Sequence, residues 1–226
     1  MSAASHGSDG EKSASGWRCG VIRGLNAATG RPGTRVLSPL DPPLLVLKVG
    51  GSLLSRPGWP ALLMPLVAAC RPGRCCVVVG GGAVVNGLRE LDRAMPQSPQ
   101  LMHDLAIDAM RLTARLVAAA VGLPLTVAPP DDGSVTVLDA PAWLAAGSRA
   151  ASLPVGWQAT SDSIAALVAG EHSGSLLLAK SAPPPPCPDG VDHLSSLARA
   201  GWVDEHFPVA AGPLATIEWA TPHATA

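Results

Sequence analysis

Short apolar runs that stop abruptly on a lysine or a glycine recur along this chain, and they predict buried strands. Leu44-Leu45-Val46-Leu47 runs into Lys48 and then Gly50 and Gly51. Cys75 to Val79 stops at Gly80-Gly81-Gly82, and Ser175 to Ala179 stops at Lys180. Strands apolar at every position are covered on both faces, as in parallel sheets. Leu125 to Ala128 and Val135 to Leu138 predict two further short strands. Between them lie stretches of helical spacing. Pro60 to Ala69 is one, with its proline near the first turn. Val84 to Ala94 is another, setting Val84, Val85, Leu88 and Leu91 against Arg89, Glu90 and Arg93. Leu101 to Val121, Ala140 to Ala146 and Ser161 to Ala169 complete the central set. Pro183 to Pro186 must be extended loop. After it Val191 to Ala200 predicts a helix and Leu214 to Trp219 an edge strand. Strands alternating with helices predict an α/β fold, a three-layer αβα sandwich around a mainly parallel sheet.

Residues 1–43 are rich in Ser, Gly, Ala and Arg without sustained periodicity, and predict a flexible extension left out of the fold. Residues 44–226 then form a single domain, a size that suits one hydrophobic core.

Composition narrows the partners. The formal net charge is -1, so there is no basic excess to neutralise a nucleic-acid backbone. Apolar runs are broken by Gly, Pro or Arg well short of the ~20 residues of a membrane span, and no basic start precedes an apolar core as in a signal peptide. Cys19, Cys70, Cys75, Cys76 and Cys187 follow no ligand spacing, so a disulfide framework or zinc site is not expected and a cytoplasmic location is. Aromatic residues are 3% of the chain, too few for a single-strand stacking platform. A core of Leu, Val and Ala with apolar faces left over predicts a homo-oligomer.

Candidate chemistry begins with lysine, used only at positions 12, 48 and 180. Lys48 and Lys180 each sit at the end of a buried strand, where open α/β sheets place their ligands. An ammonium there can meet a phosphate oxygen as a point charge; the plainer reading is a side chain snorkelling out of the sheet. Gly50, Gly51 and Ser52 follow Lys48 directly, and glycine turns bring backbone N–H groups close to phosphate oxygens. Gly80, Gly81 and Gly82 offer a second such cradle on the next unit. Thr160 and Ser161 open a helix whose first turn carries Asp162; a plain helix cap explains them, and so does an aspartate that holds the two lysines. A P-loop ending in Gly-Lys-Ser/Thr, a Gly-x-Gly-x-x-Gly turn, His-Glu-x-x-His and Gly-x-Ser-x-Gly are all missing. His103, His172, His193 and His206 read as surface or loop residues.

The ordered set Leu45-Val46-Leu47-Lys48-Val49-Gly50-Gly51-Ser52-Leu53, Val77-Val78-Val79-Gly80-Gly81-Gly82, Thr160-Ser161-Asp162-Ser163-Ile164-Ala165-Ala166 and Leu176-Leu177-Leu178-Ala179-Lys180 resembles the amino acid kinase superfamily. The resemblance implies a kinase using ATP and Mg²⁺ on a small-molecule acceptor bearing a phosphate or carboxylate. It implies catalytic roles for Lys48, Asp162 and Lys180, and phosphate contacts from Gly50, Gly51, Ser52, Thr160 and Ser161. It places the acceptor against Gly80, Gly81, Gly82 and Asp108. Two features depart from the pattern: Ser181-Ala182 and the proline run replace an Asp-Gly turn, and the nucleotide half is short. The Trp157 to Ile164 and Gly201 to Pro208 stretches resemble a small subgroup, the (aminomethyl)furanmethyl phosphate kinases of methanofuran-type one-carbon cofactor synthesis. Two other readings stay open: a uridylate kinase, and a non-catalytic storage or regulatory protein that binds nucleotides or oxyanions on the same fold.

Overall fold

The computed structural model of the chain describes residues 17–23, 43–70, 73–187 and 191–223. Among these residues, seven strands form one sheet in the order β1-β7-β6-β2-β3-β5-β4. The strands are β1 Trp17–Arg23, β2 Leu45–Val49, β3 Cys75–Val79, β4 Leu125–Thr126, β5 Val135–Leu138, β6 Ser175–Ala179 and β7 Thr216–Pro222. All neighbours pair in parallel except β1 with β7. The helices are α1 Trp59–Cys70, α2 Gly82–Ala94, α3 Pro99–Val121, α4 Ala140–Ala145, α5 Ser161–Glu171, α6 His193–Arg199 and α7 Phe207–Ala210. The three-layer αβα arrangement expected from the alternation of strands and helices is present.

Strand parity divides the core into two layers. Leu47, Val49, Cys75, Val77 and Val79 pack against Leu63, Leu66 and Val67 of α1 and Ala114, Val117 and Val121 of α3. Val46, Cys76, Val78, Leu176 and Leu178 pack against Ile164, Ala165 and Val168 of α5, with Leu194, Leu197 and Phe207 of α6 and α7. Every residue of β3 is buried. Cys75 and Cys76 fill the interior of that strand as small apolar groups. Among the described residues no helix is long and apolar enough to cross a membrane.

Helix ends follow local chemistry. Ser98 caps α3 by accepting from the Leu101 N–H at 3.2 Å, and Pro99 follows at the first helical position. The helix ends on Gly122 at φ 67°, a left-handed stop that favours glycine.

Two expectations need correction. The 1–43 extension contains a strand: β1 pairs with β7 along its whole length, Trp17 is fully buried, and its indole N–H donates to the Leu62 carbonyl at 3.0 Å. The rest of the extension lies outside the described residues. The second correction follows from the first, because β7 is not an edge strand: β1 covers its outer side. Gly20 leaves room for the Trp219 ring on the paired strand, since a Cβ there would run into it.

Candidate active site

The sheet reverses its winding at β2. The chain proceeds from β2 to β3 on one side and returns through β6 on the other, so a crevice opens at the carboxyl ends of these three strands, the usual ligand position in open α/β sheets. Parity decides what points into it. Lys48 shares the face of Val46, and Lys180, one residue beyond β6, shares the face of Leu176 and Leu178. Both therefore project towards α5, whose first turn carries Asp162.

The three side chains meet there. One carboxylate oxygen of Asp162, Oδ1, lies 2.6 Å from the Lys48 ammonium, and the other, Oδ2, accepts from the Lys180 ammonium at 2.7 Å. Lys48 is 3% exposed and Asp162 5%, so this is a buried ionic knot rather than surface pairing. Burial by itself would raise the Asp162 carboxyl, but the adjacent Lys48 and Lys180 charges outweigh it and hold the group below the usual carboxylate range. Burial, together with repulsion from Lys48, pushes the Lys180 ammonium down to about 8, against the opposing pull of Asp162. Lys180 also donates to the Trp202 carbonyl at 2.6 Å and lies 4.9 Å from the centre of its ring.

Two glycine turns face each other beside the knot. The Gly50 N–H donates to the Ala179 carbonyl at 2.8 Å and the Gly80 N–H to the Val49 carbonyl at 2.9 Å, which ties each turn to the neighbouring strand. A Cβ on Gly51 would overlap the backbone of Gly82, and Gly82 itself sits at φ 55°. Side chains are thus excluded where the turns touch, and a cavity of about 210 Å³ opens next to them. Gly51, Ser52, Gly80, Gly81, Gly82, Thr160 and Ser161, expected on two separate parts of a site, line this one cavity together. Its far wall is apolar, from Val85, Ile107, Met110 and Ile164, and Arg89 and Trp157 contribute to its lining.

Not every candidate residue belongs to this cavity. Asp108 does not: it is 63% exposed at the side chain, pairs with Arg111 at 3.6 Å and borders a groove on the outer side of α2 and α3. The helical turn explains this, because His103, Ala106, Ile107 and Met110 form the stripe of α3 that faces the cavity, and Asp108 lies about 100° from Ile107. Gly50 lies behind the cavity, under Lys180. The Thr160 hydroxyl is already engaged, donating to Asp204 at 2.8 Å.

Sequence reasoning also missed residues. His103 is buried rather than superficial, with Nδ1 3.2 Å from the Gly156 carbonyl oxygen. Arg89 stands 4.9 Å over the Trp157 ring, and the Trp157 indole N–H donates to Asp92 at 3.1 Å. Arg89 lines both the 210 Å³ cavity and a second one of about 430 Å³ that contains Lys180, Arg199 and Trp202. Asp204 accepts from the backbone and hydroxyl of both Thr160 and Ser163. The tryptophans were the available signal, since a chain this poor in aromatic residues places Trp157 and Trp202 around one site.

The sequence profile of the amino acid kinase family matches residues 43–182. No protein of curated function matches the chain. Among solved structures, the chain is similar to the uridylate kinase from Archaeoglobus fulgidus at 19% identity, over 80% of this chain and 91% of that one, with a TM-score of 0.54. It is similar to the UMP kinase from Bacillus anthracis at 13% identity, over 76% and 84%, with a TM-score of 0.53. It is also similar to the aspartate kinase from Synechocystis at 14% identity, over 79% of this chain and 40% of that one, with a TM-score of 0.53. These likenesses concern the fold. The profile, which spans β2 to Lys180 and more than half of the chain, carries the assignment: this chain belongs to the amino acid kinase family.

Proposed function

We propose that the chain is an ATP-dependent kinase that phosphorylates a small acceptor bearing a phosphate or carboxylate. The observation that carries this reading is the buried Lys48–Asp162–Lys180 knot, two ammonium groups held by one carboxylate beside a pair of glycine turns. Phosphoryl transfer asks the protein mainly for positioning and for neutralisation of developing charge. Lys48 and Lys180 supply fixed positive charge, the Gly51 and Gly80 to Gly82 turns supply close backbone approach, and Asp162 prevents the two ammonium groups from repelling each other out of place.

The nucleotide phosphates are proposed to lie against Lys180 and Lys48, and the acceptor in the cavity lined by Gly80 to Gly82. Arg89 is suited to meet the acceptor's anion from that cavity's side. The cavity, about 210 Å³, suits a compact acceptor. An (aminomethyl)furanmethyl phosphate is compact and carries a phosphate, and is the acceptor to which the Trp157 to Ile164 and Gly201 to Pro208 stretches direct the first trial.

Magnesium fits as an ion carried by the nucleotide. Both oxygens of Asp162 already face ammonium groups, and among the described residues no three His, Cys, Asp or Glu side chains cluster as a cage. A magnesium ion held mostly by phosphate oxygens and water needs no such cage, and when bound it neutralises charge on the transferring phosphates. Self-association is part of the proposal, on the exposed apolar side chains Leu91, Leu105, Leu112 and Leu116 of α2 and α3, as is a reducing, cytoplasmic setting, since the cysteines follow no ligand spacing.

The test is ADP release from MgATP over a panel of acceptors that includes UMP, small phosphomonoesters and carboxylates. Lys48→Met is expected to stay folded and to lose at least ~10²-fold in turnover. Turnover equal to wild type in that variant would sink the proposal. ATP binding without ADP release for every acceptor would instead favour a non-catalytic binding protein.

A further inference from the structure

Helix α5 delivers Asp162, yet its own N-cap residue does not cap it: the Thr160 side chain makes no bond to the first-turn N–H groups. Asp204, more than forty residues away, does this work instead. Its Oδ2 accepts from the Thr160 N–H at 2.9 Å, the Thr160 hydroxyl at 2.8 Å and the Ser163 N–H at 3.0 Å, and its Oδ1 accepts from the Ser163 hydroxyl at 2.5 Å. A carboxylate at this point satisfies open donors of the first turn and meets the positive end of the helix. The same 201–206 segment reaches Lys180, through the Trp202 carbonyl at 2.6 Å and the Trp202 ring at 4.9 Å. One segment therefore touches both the helix that carries Asp162 and the lysine that Asp162 binds.

We infer that Asp204 is a positioning residue of the Lys48–Asp162–Lys180 knot, capping α5 from a distant loop so that Asp162 stays seated between the two ammonium groups. The inference deepens the kinase reading and rests on it for its catalytic meaning, although the positioning itself can be tested without turnover. Asp204 also contributes to the charge around Lys180, where its attraction favours the ammonium form. The other charged groups facing Lys180 are Asp162 on α5, Lys48 on β2, Arg89 on α2, Arg199 on α6 and Glu205 beside Asp204.

Two substitutions separate the cap from the charge. Asp204→Asn can keep the cap, because the amide oxygen can take the place of Oδ2 while its NH₂ donates to the Ser163 hydroxyl. Asp204→Ala removes cap and charge together. The full chain is labelled on lysine side chains and followed by NMR against pH. With lysines at positions 12, 48 and 180 alone, Lys180→Arg assigns the signal. Amide hydrogen exchange at Thr160 and Ser163 is measured on the same samples, and MgATP affinity by calorimetry.

Lys180 is expected to titrate at lower pH in Asp204→Ala than in Asp204→Asn, because both lose the Asp204 charge and only the first also unseats Asp162 from Lys180. Exchange at Thr160 and Ser163 is expected to rise about tenfold or more in Asp204→Ala and to return towards wild type in Asp204→Asn. MgATP should bind about 10-fold more weakly to Asp204→Ala. A Lys180 titration that is the same in Asp204→Ala and Asp204→Asn overturns the inference, and so does wild-type exchange at Thr160 and Ser163 in Asp204→Ala. If Asp204→Ala does not fold, Asp204→Ser, whose shorter side chain cannot span both Thr160 and Ser163, takes its place in both measurements. If the wild-type protein fails to bind MgATP, the kinase reading falls, while the titration and exchange results still judge Asp204.

Discussion

The two halves of the crevice are built on opposite principles. On one side Lys48, Asp162 and Lys180 form a buried, ionically closed knot with short contacts. On the other, the 210 Å³ cavity proposed for the acceptor is bounded by bare backbone at Gly80 to Gly82 and an apolar wall, with Arg89 as its charged group. The knot gains its geometry from charge and burial, so its parts depend on one another. The cavity gains its shape from absent side chains and from the packing of α2, α3 and α5, so its parts can be altered singly. Stability and chemistry should therefore respond differently on the two sides.

The largest effect is expected at the centre of the knot. Asp162→Ala leaves two ammonium groups buried without a counter-charge, and breaking a buried pair in this way costs about 3–5 kcal/mol. Denaturant unfolding would show it, and a loss below about 1 kcal/mol would mean that the knot is open to solvent. Next comes the contact between the two glycine turns. Gly51→Ala forces a Cβ into the Gly82 backbone, and an overpacked contact of this kind costs about 1–3 kcal/mol. Because the turn is part of both halves, activity should fall more steeply than the melting temperature.

Arg89→Gln probes the 210 Å³ cavity from its border with the space around Lys180. It is expected to leave stability within about 0.5 kcal/mol, as for most partly exposed positions, and to raise the acceptor's KM roughly 10-fold through one lost charge-assisted contact. A change in kcat of the same size with KM unmoved would place Arg89 in the transfer step instead of in acceptor binding.

The smallest effect is a pH dependence, and it sets stability against activity. The Lys180 ammonium is lowered from 10.5 to about 8 in the folded chain. Between these values the unfolded chain holds a proton that the folded one has released, so Lys180's contribution to stability rises with pH from about 8 to about 10.5. The phosphate contact proposed for Lys180 needs the charged form, so kcat/KM for ATP is expected to fall as pH rises through about 8. Lys180→Arg should flatten that basic limb, which a pH–rate profile would reveal.

Legibility followed the range of the interactions. Strands β2, β3, β5 and β6 and the central helices are written locally, in apolar runs ended by Lys or Gly and in helical spacing, and their boundaries differ from the expected ones by a few residues at most. The lysines and Asp162 were readable because strand ends and helix starts have recognisable residue types. Strand β1 was not, because its partner β7 lies some two hundred residues away and Arg18 and Gly20 interrupt its apolar pattern. Asp108 was misplaced because a motif does not specify which side of a helix faces a cavity. His103 was misjudged for the same reason.

The sequence by itself determined the order of the central strands and helices from β2 to β6, the glycine turns and the identity of the three charged groups, since each rests on residues adjacent along the chain. The tertiary structure decided that those groups converge. Strand parity aims Lys48 and Lys180 at the same face, the reversal of winding at β2 sets β6 beside it, and α5 packs over both. It also decided the parts played by Asp204, Trp202 and Arg89, whose partners are distant in sequence and become neighbours only when the sheet is assembled.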